Sequence, residues 1–204
     1  MPRQKEDRYR KADRLFRRNH GILRTHEALR AGIHPRTLYE MRDAGLIEQL
    51  ARGLYRLAGL PPLGNPDLVP VARRVPGGVI CLVSALAYHE ITTQVPHEIY
   101  LALERGAEPP RLDHPPLRVF WFTGAAFREG IENHKVDGVA VRVYSPEKTV
   151  ADCFKYRNKI GLETALEALR LCRQRKKAKV DDLLRFAAIC RVERVMRPYV
   201  ESLL

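Results

Sequence analysis

The stretch from Thr25 to Ala58, THEALRAGIHPRTLYEMRDAGLIEQLARGLYRLA, constrains the fold more than any other part of the chain. Thr25 can cap a short helix over 26–31, which Gly32 stops. His34 precedes Pro35, and proline suits the first turn of a helix because its missing N–H has no intrahelical partner to lose. That second helix is predicted to reach about Ala44, with Leu38 and Met41 turned inward and Gly45 closing it. The pattern then changes from helical to alternating. LIEQL and GLYRLA flank Ala51-Arg52-Gly53, which predicts a β-hairpin. Upstream, residues 7–19 space Tyr9, Ala12, Leu15 and Phe16 three and four apart among Arg8, Arg10, Lys11, Arg14, Arg17 and Arg18. Such spacing predicts an amphipathic helix with a basic outer face, joined to the helix pair by the extended GILR.

Three helices followed by a hairpin within some 55 residues is the order of a winged helix-turn-helix. In that motif the second of the paired helices enters the major groove, where side chains distinguish all four base pairs. The expected groove-facing residues are Arg36, Thr37 and Glu40, with His34, Tyr39 and Arg42 on the same helix. Arg24 and Thr25, and Arg52, Tyr55 and Arg56 of the hairpin, are expected along phosphates or an adjacent minor groove. Helix-turn-helix pairs with a hairpin also serve as protein-binding modules, so a pure interaction domain is the rival reading.

GLPPLGNPD (59–67) is the clearest linker. It divides the chain into a domain over 1–60, a linker over 61–66 and a second domain over 67–204. Beyond it the sequence predicts a helix near 67–74, a turn at Pro76-Gly77-Gly78, and a helix over 84–89 capped by Ser84. Strands are predicted at 98–103, 117–122 and 139–144, the first two separated by the long loop ERGAEPPRLDHPP. Ser145, Pro146 and Glu147 mark a helix start. Helical stripes come next: Leu162, Ala165, Leu166 and Leu169, then Leu183, Leu184, Ala187 and Ala188, then Val192, Val195, Met196 and Tyr199. The fold class is α+β, with a winged helix-turn-helix followed by a mixed domain that ends in helices.

Charge is sorted along the chain. The net of +12 divides into +7 over residues 1–60, −2 over 61–154, +8 over 155–197 and −1 over 198–204. Basic ends around a near-neutral centre point to a polyanion or an acidic partner. In the C-terminal part, Lys155, Arg157 and Lys159 form one cluster, and Arg173, Arg175, Lys176, Lys177 and Lys179 form another. They are candidates for contact with DNA, with an acidic toxin or RNA as the rival partner.

Cys81, Cys153, Cys172 and Cys190 lack metal-ligand spacing and lie in apolar segments, as small buried hydrophobes of a reducing compartment do. A zinc site built from them with His89 or His97 is disfavoured, and no metal or cofactor is expected. Ser84 and His89 lack a nucleophile elbow, His97 and His134 lack HExxH spacing, and Glu147 and Asp152 lie five apart, off a common catalytic face. The chain is therefore expected not to be an enzyme. A nuclease assembled from scattered acids, or a toxin-modifying enzyme targeted by the winged helix, is the alternative. The opening MPRQKEDRYRKADRLFRRN is charged where a secretory signal has an apolar core, and the apolar runs are too short for a bilayer. A soluble, cytoplasmic protein is expected.

GILRTHEALRAGIHPRTLYEMRDAGLIEQLARGLYRLAG resembles the N-terminal winged helix of the AbiEi family, antitoxins of type IV toxin–antitoxin systems in bacterial phage-defence loci. The resemblance continues through SALAYHEITTQVPHEIYLAL, PLRVFWFTG, VDGVAVRVYSPEKTVADCFKYRNKIGLETALEAL and LLRFAAICRVERVMRPYVESLL, covering about residues 9 to 204. The SPEKTVADCFKYRNKIG block is its most specific part. The resemblance implies an N-terminal domain that binds inverted repeats in its own promoter and represses transcription. It also implies a C-terminal domain that counters a nucleotidyltransferase-like toxin, generally without a stable complex.

Overall fold

The structure is a computed structural model and describes residues 2–203. It divides into two compact units. One holds the residues up to Arg74 with 112–114 and 135–139, and the other holds 75–111, 115–134 and 140 onward.

The first unit opens with α1 (Pro2–Arg18), which starts earlier than the periodicity alone indicates. Next come β1 (Ile22–Arg24), α2 (Thr25–Arg30), α3 (Pro35–Asp43), β2 (Ile47–Ala51) and β3 (Leu54–Leu57). The linking GILR is a strand: β1 pairs antiparallel with β3, Leu23 opposite Tyr55, and the sheet order is β1-β3-β2. A register shift between Gln49 and Ala51 marks the hairpin, whose turn needs Gly53 at φ +72°. Helices and sheet close over Ala12, Phe16, Leu23, Ala28, Ile33, Leu38, Met41, Ile47, Tyr55 and Leu57. Full burial of each larger apolar side chain there contributes about 1.5–3 kcal/mol. α4 (Leu68–Arg74), expected to open the second domain, groups with this unit. The reason is electrostatic as well as apolar, since Arg73 pairs with Glu27 at 2.5 Å.

The second unit continues with β4 (Val79–Ile80), α5 (Leu82–Tyr88), β5 (Ile99–Glu104), β6 (Leu117–Phe122), α6 (Ala125–Arg128), β7 (Ile131–Val136) and β8 (Val139–Tyr144). The tip of the β7–β8 turn is counted with the first unit. The sheet order is β6-β5-β4-β8-β7. β5 and β6 are parallel, with Leu101 opposite Val119, and β4 runs antiparallel to β5 and parallel to β8. The helices α7 (Pro146–Lys155), α8 (Arg157–Ile160), α9 (Leu162–Gln174), α10 (Val180–Ile189) and α11 (Glu193–Glu201) complete the chain. α7 is the hub, packed against α5, α9, α10 and α11.

Ser145 caps α7 as the sequence indicates, accepting from Lys148 N at 3.3 Å. Ser84 does not cap α5. Cys81 holds the cap position, and Ser84 sits one turn in, where its Oγ accepts from Tyr100 N at 2.9 Å and ties the helix to β5. No described helix is long and apolar enough to cross a membrane.

The core of this unit holds a charge pair. Lys148 Nζ meets both oxygens of Asp152 at 2.6 Å, one turn apart on α7, and both residues are fully buried. Lys148 also lies over the rings of Tyr144 (4.1 Å) and Phe122 (4.9 Å), and the Cys190 thiol donates to Asp152 Oδ1 at 3.2 Å. Burial pushes the Asp152 carboxyl up, and Lys148 and the thiol pull it back. Gly130, at φ +74°, permits this packing: a Cβ there would lie 2.7 Å from Lys148 Cβ.

His89 is also buried, its Nε2–H donating to the Tyr144 carbonyl at 2.7 Å. Burial holds its pKa below the ordinary histidine value, against the backbone bond and Glu132, which raise it, while His134 and Lys177 lower it further. A depressed histidine pKa means that the unfolded chain takes the proton more readily. Its contribution is complete above about pH 6.5 and is lost as the pH falls through that value. Urea unfolding of wild type should therefore weaken more than that of His89→Gln between about pH 7.5 and about pH 5.5. Equal pH dependence in the two proteins would contradict this.

Candidate nucleic-acid interface

α3 is the helix expected to meet a duplex, and its orientation is set by its apolar stripe. Leu38 and Met41 point into the core, and so does Thr37, which is 1% exposed. Thr37 was expected to read bases. The structure places it one position around the helix from Leu38, on the packed side, so it cannot do so from this fold. His34 is exposed and caps the helix, its Nδ1 accepting from Arg36 N at 3.2 Å.

The remaining face carries Arg36, Tyr39, Glu40 and Arg42. The Arg36 side chain is 78% exposed and its Nε donates to Glu40 Oε1 at 3.0 Å, an i,i+4 pair that restrains the guanidinium. Tyr39 is 48% exposed, and Arg42 stacks toward it at 5.5 Å while forking onto Asp43. Arg36 and Arg42 thus present donors outward with an exposed aromatic between them. Glu40 is half-buried, and one of its carboxylate oxygens is buried with no partner among the described residues.

Of the five residues expected along the backbone, the structure leaves one free. Arg52, at the hairpin turn, is exposed. Arg24 is half-buried and donates to the Arg73 carbonyl at 3.2 Å, and burial lowers its pKa. Thr25 is the first residue of α2 rather than its cap: Arg24 holds that position, with its N–H on Glu27 at 2.8 Å. The Thr25 hydroxyl donates instead to Gly53 O at 3.3 Å and ties α2 to the hairpin turn. Tyr55 and Arg56 are 4% and 6% exposed. β3 is the central strand and all four of its residues are buried, so alternation does not turn either outward. Arg56 pairs with Glu48 at 2.8 Å and donates to the Pro61 carbonyl.

The basic outer face of α1 adds Arg8, Arg10, Lys11, Arg14, Arg17 and Arg18, all exposed. The sequence signal for it was explicit, yet these side chains were not among the expected contacts.

In the second unit the two basic clusters are dispersed. Lys155 is exposed, Arg157 donates to Phe154 O at 2.9 Å, and Lys159 lies over Phe120 and Tyr156. Arg175 pairs with Glu90 at 3.6 Å, and Lys177 donates to His89 O at 2.5 Å. Arg173, Lys176, Lys177 and Lys179 line one cleft with Glu147, Asp181 and Asp182, whereas Lys155 lines another. Among the described residues, no group of His, Cys, Asp and Glu is arranged to hold a metal ion.

Residues 10–58 match the family model described as "Transcriptional regulator, AbiEi antitoxin". The resemblance seen in the sequence is therefore shown across the helix-turn-helix and hairpin. Among solved structures, the RV2827C protein from Mycobacterium tuberculosis has a similar fold, with a TM-score of 0.60 at 14% identity. The likeness covers 87% of this chain and 71% of that one. No curated protein matches the chain.

Arg56→Ala removes a guanidinium bonded to both a carboxylate and a carbonyl in the first unit. It should cost about 1–3 kcal/mol of stability, read as a lower thermal midpoint. An unchanged midpoint would return Arg56 to the exposed surface.

Proposed function

We propose, from the AbiEi-type match over residues 10–58, that the chain is a DNA-binding repressor of its own toxin–antitoxin operon and counteracts a nucleotidyltransferase-like toxin. The observation that carries the DNA reading is the outer face of α3: Arg36, Tyr39 and Arg42 stand exposed on a helix whose other side is locked into the core. With a net of +7 over residues 1–60, the first unit has the charge to displace counterions from phosphates, so affinity should fall steeply with salt.

Arg36 is assigned to base edges, steadied by Glu40, while Tyr39 and Arg42 flank it. Arg52 serves the phosphates from the hairpin. The duplex is expected to carry inverted repeats in the chain's own promoter. The toxin-directed role belongs to the second unit and rests on the resemblance of the segments there, SPEKTVADCFKYRNKIG above all. A type IV mode, phage defence and a cytoplasmic location belong to the same reading. It is non-enzymatic.

Arg36→Ala should weaken binding to the operator by about 1–3 kcal/mol and relax base preference at one position. Arg52→Ala should weaken binding to all duplexes alike and lower the salt slope by about one. Fluorescence anisotropy against operator and scrambled duplexes over a salt series measures both. Operator affinity equal to wild type in Arg36→Ala would contradict the groove assignment.

A further inference from the structure

The second unit contains a cleft of about 490 Å³ that the proposed function does not use. It lies where β5 and β6 end and α7 closes, lined by Arg105, Trp121, Phe122, Asp152, Lys155, Tyr156 and Cys190 among others. Its three layers differ in chemistry. Asp152 and Cys190 lie at the base, in the buried network with Lys148 described above. Aromatic rings form the middle: Tyr156 meets Phe122 at 5.5 Å, and Trp121, 47% exposed, is pinned through its indole N–H on Ala107 O at 3.1 Å. Arg105 and Lys155 stand exposed at the mouth. Neither is in an ion pair among the described residues, and the adjacent Glu104 is engaged by Arg128 at 2.9 Å.

A buried ion pair gains little for stability over apolar side chains of the same volume, because desolvating both charges offsets their attraction. Here the Asp152 end of the pair lies under the floor of a cleft walled by aromatics, and such a cleft is a place to look for a ligand. The three layers suit one class of ligand. A flat heterocycle stacks on a ring that is already held in place. An anionic group meets the two free cations. Asp152 and Cys190, 0% and 4% exposed, close the floor beneath the rings and limit the depth to which a flat group can enter.

We infer that this cleft binds a nucleoside 5′-monophosphate or a ligand of that chemistry, the base against Trp121 and Tyr156 and the phosphate between Arg105 and Lys155.

The chain has a single tryptophan, so its emission reports this site alone. The full chain is titrated with adenosine, guanosine, cytidine and uridine 5′-monophosphates, with the parent nucleosides, and with inorganic phosphate. Thermal midpoints are recorded alongside. At least one monophosphate should quench the emission and raise the midpoint. The matching nucleoside and phosphate alone should bind more weakly, and the double variant Arg105→Ala/Lys155→Ala should lose about tenfold or more in affinity. Both substituted residues are exposed, and an unliganded midpoint equal to wild type checks that the variant is folded. The inference is overturned if no monophosphate moves either readout. It is equally overturned if phosphate alone binds as tightly as the nucleotides, or if the folded double variant binds like wild type.

Discussion

The inward stripe of α3 sets the terms for the first unit. Leu38 and Met41 are held against Ala12, Phe16, Ile33, Ile47 and Leu57 in one apolar cluster, and Thr37 is buried beside them. A helix with Thr37, Leu38 and Met41 committed to the core has little freedom left: residues 36, 39, 42 and 43 are the ones left exposed. The same burial fixes the helix axis relative to the hairpin, because Ile47 and Leu57 belong to the paired strands β2 and β3. Arg52 stands at the tip of that hairpin, tied to α2 through the bonds from Thr25 to Gly53. Recognition on this account depends on packing first, with charge acting on a surface already oriented.

Charge does different work in the two units. On α1 and α3 it is exposed, worth little to stability and much to long-range attraction for a polyanion. Inside the second unit, Lys148 and Asp152 are withdrawn from water altogether, roofed by Tyr144 and Phe122 and joined by Cys190. There the cost of desolvation is high and the geometry has to be near ideal, which the two 2.6 Å contacts supply. The four cysteines obey the same rule: all are buried and free, and burial raises their thiol pKa values, that of Cys172 to about 12.

Much of the first unit was legible because its signals are local. The Gly32–Pro35 interval, the change of period after Gly45 and the Arg-Gly turn each act within a few residues, and the structure has α2, α3, β2 and β3 where those signals fall. What failed was facing. Tyr55 and Arg56 lie on a strand with neighbours on both sides, a property of the sheet order that alternation within one strand does not contain. Arg24 and Thr25 were spent on contacts 49 and 28 residues away, with Arg73 and Gly53. In the second unit, the cap at Ser145 was readable, whereas the two-residue β4 and the parallel pairing of β5 with β6 depend on distant partners. The Lys148–Asp152 spacing was in plain view at i,i+4. Only the fold reveals that this side of α7 is buried and that a cleft opens beside it.

Because every native thiol is buried, a cysteine placed on the surface can carry a photocrosslinker without competition. Single substitutions Tyr39→Cys, Arg42→Cys and Arg52→Cys, with Lys176→Cys in the second unit as the contrast, can be irradiated on an operator duplex and the adducts mapped by base. The account predicts adducts from positions 39, 42 and 52, those of the α3 positions within the major groove of each half-site. Labels at 39, 42 and 52 that all fail on a bound duplex, while position 176 crosslinks, would contradict it.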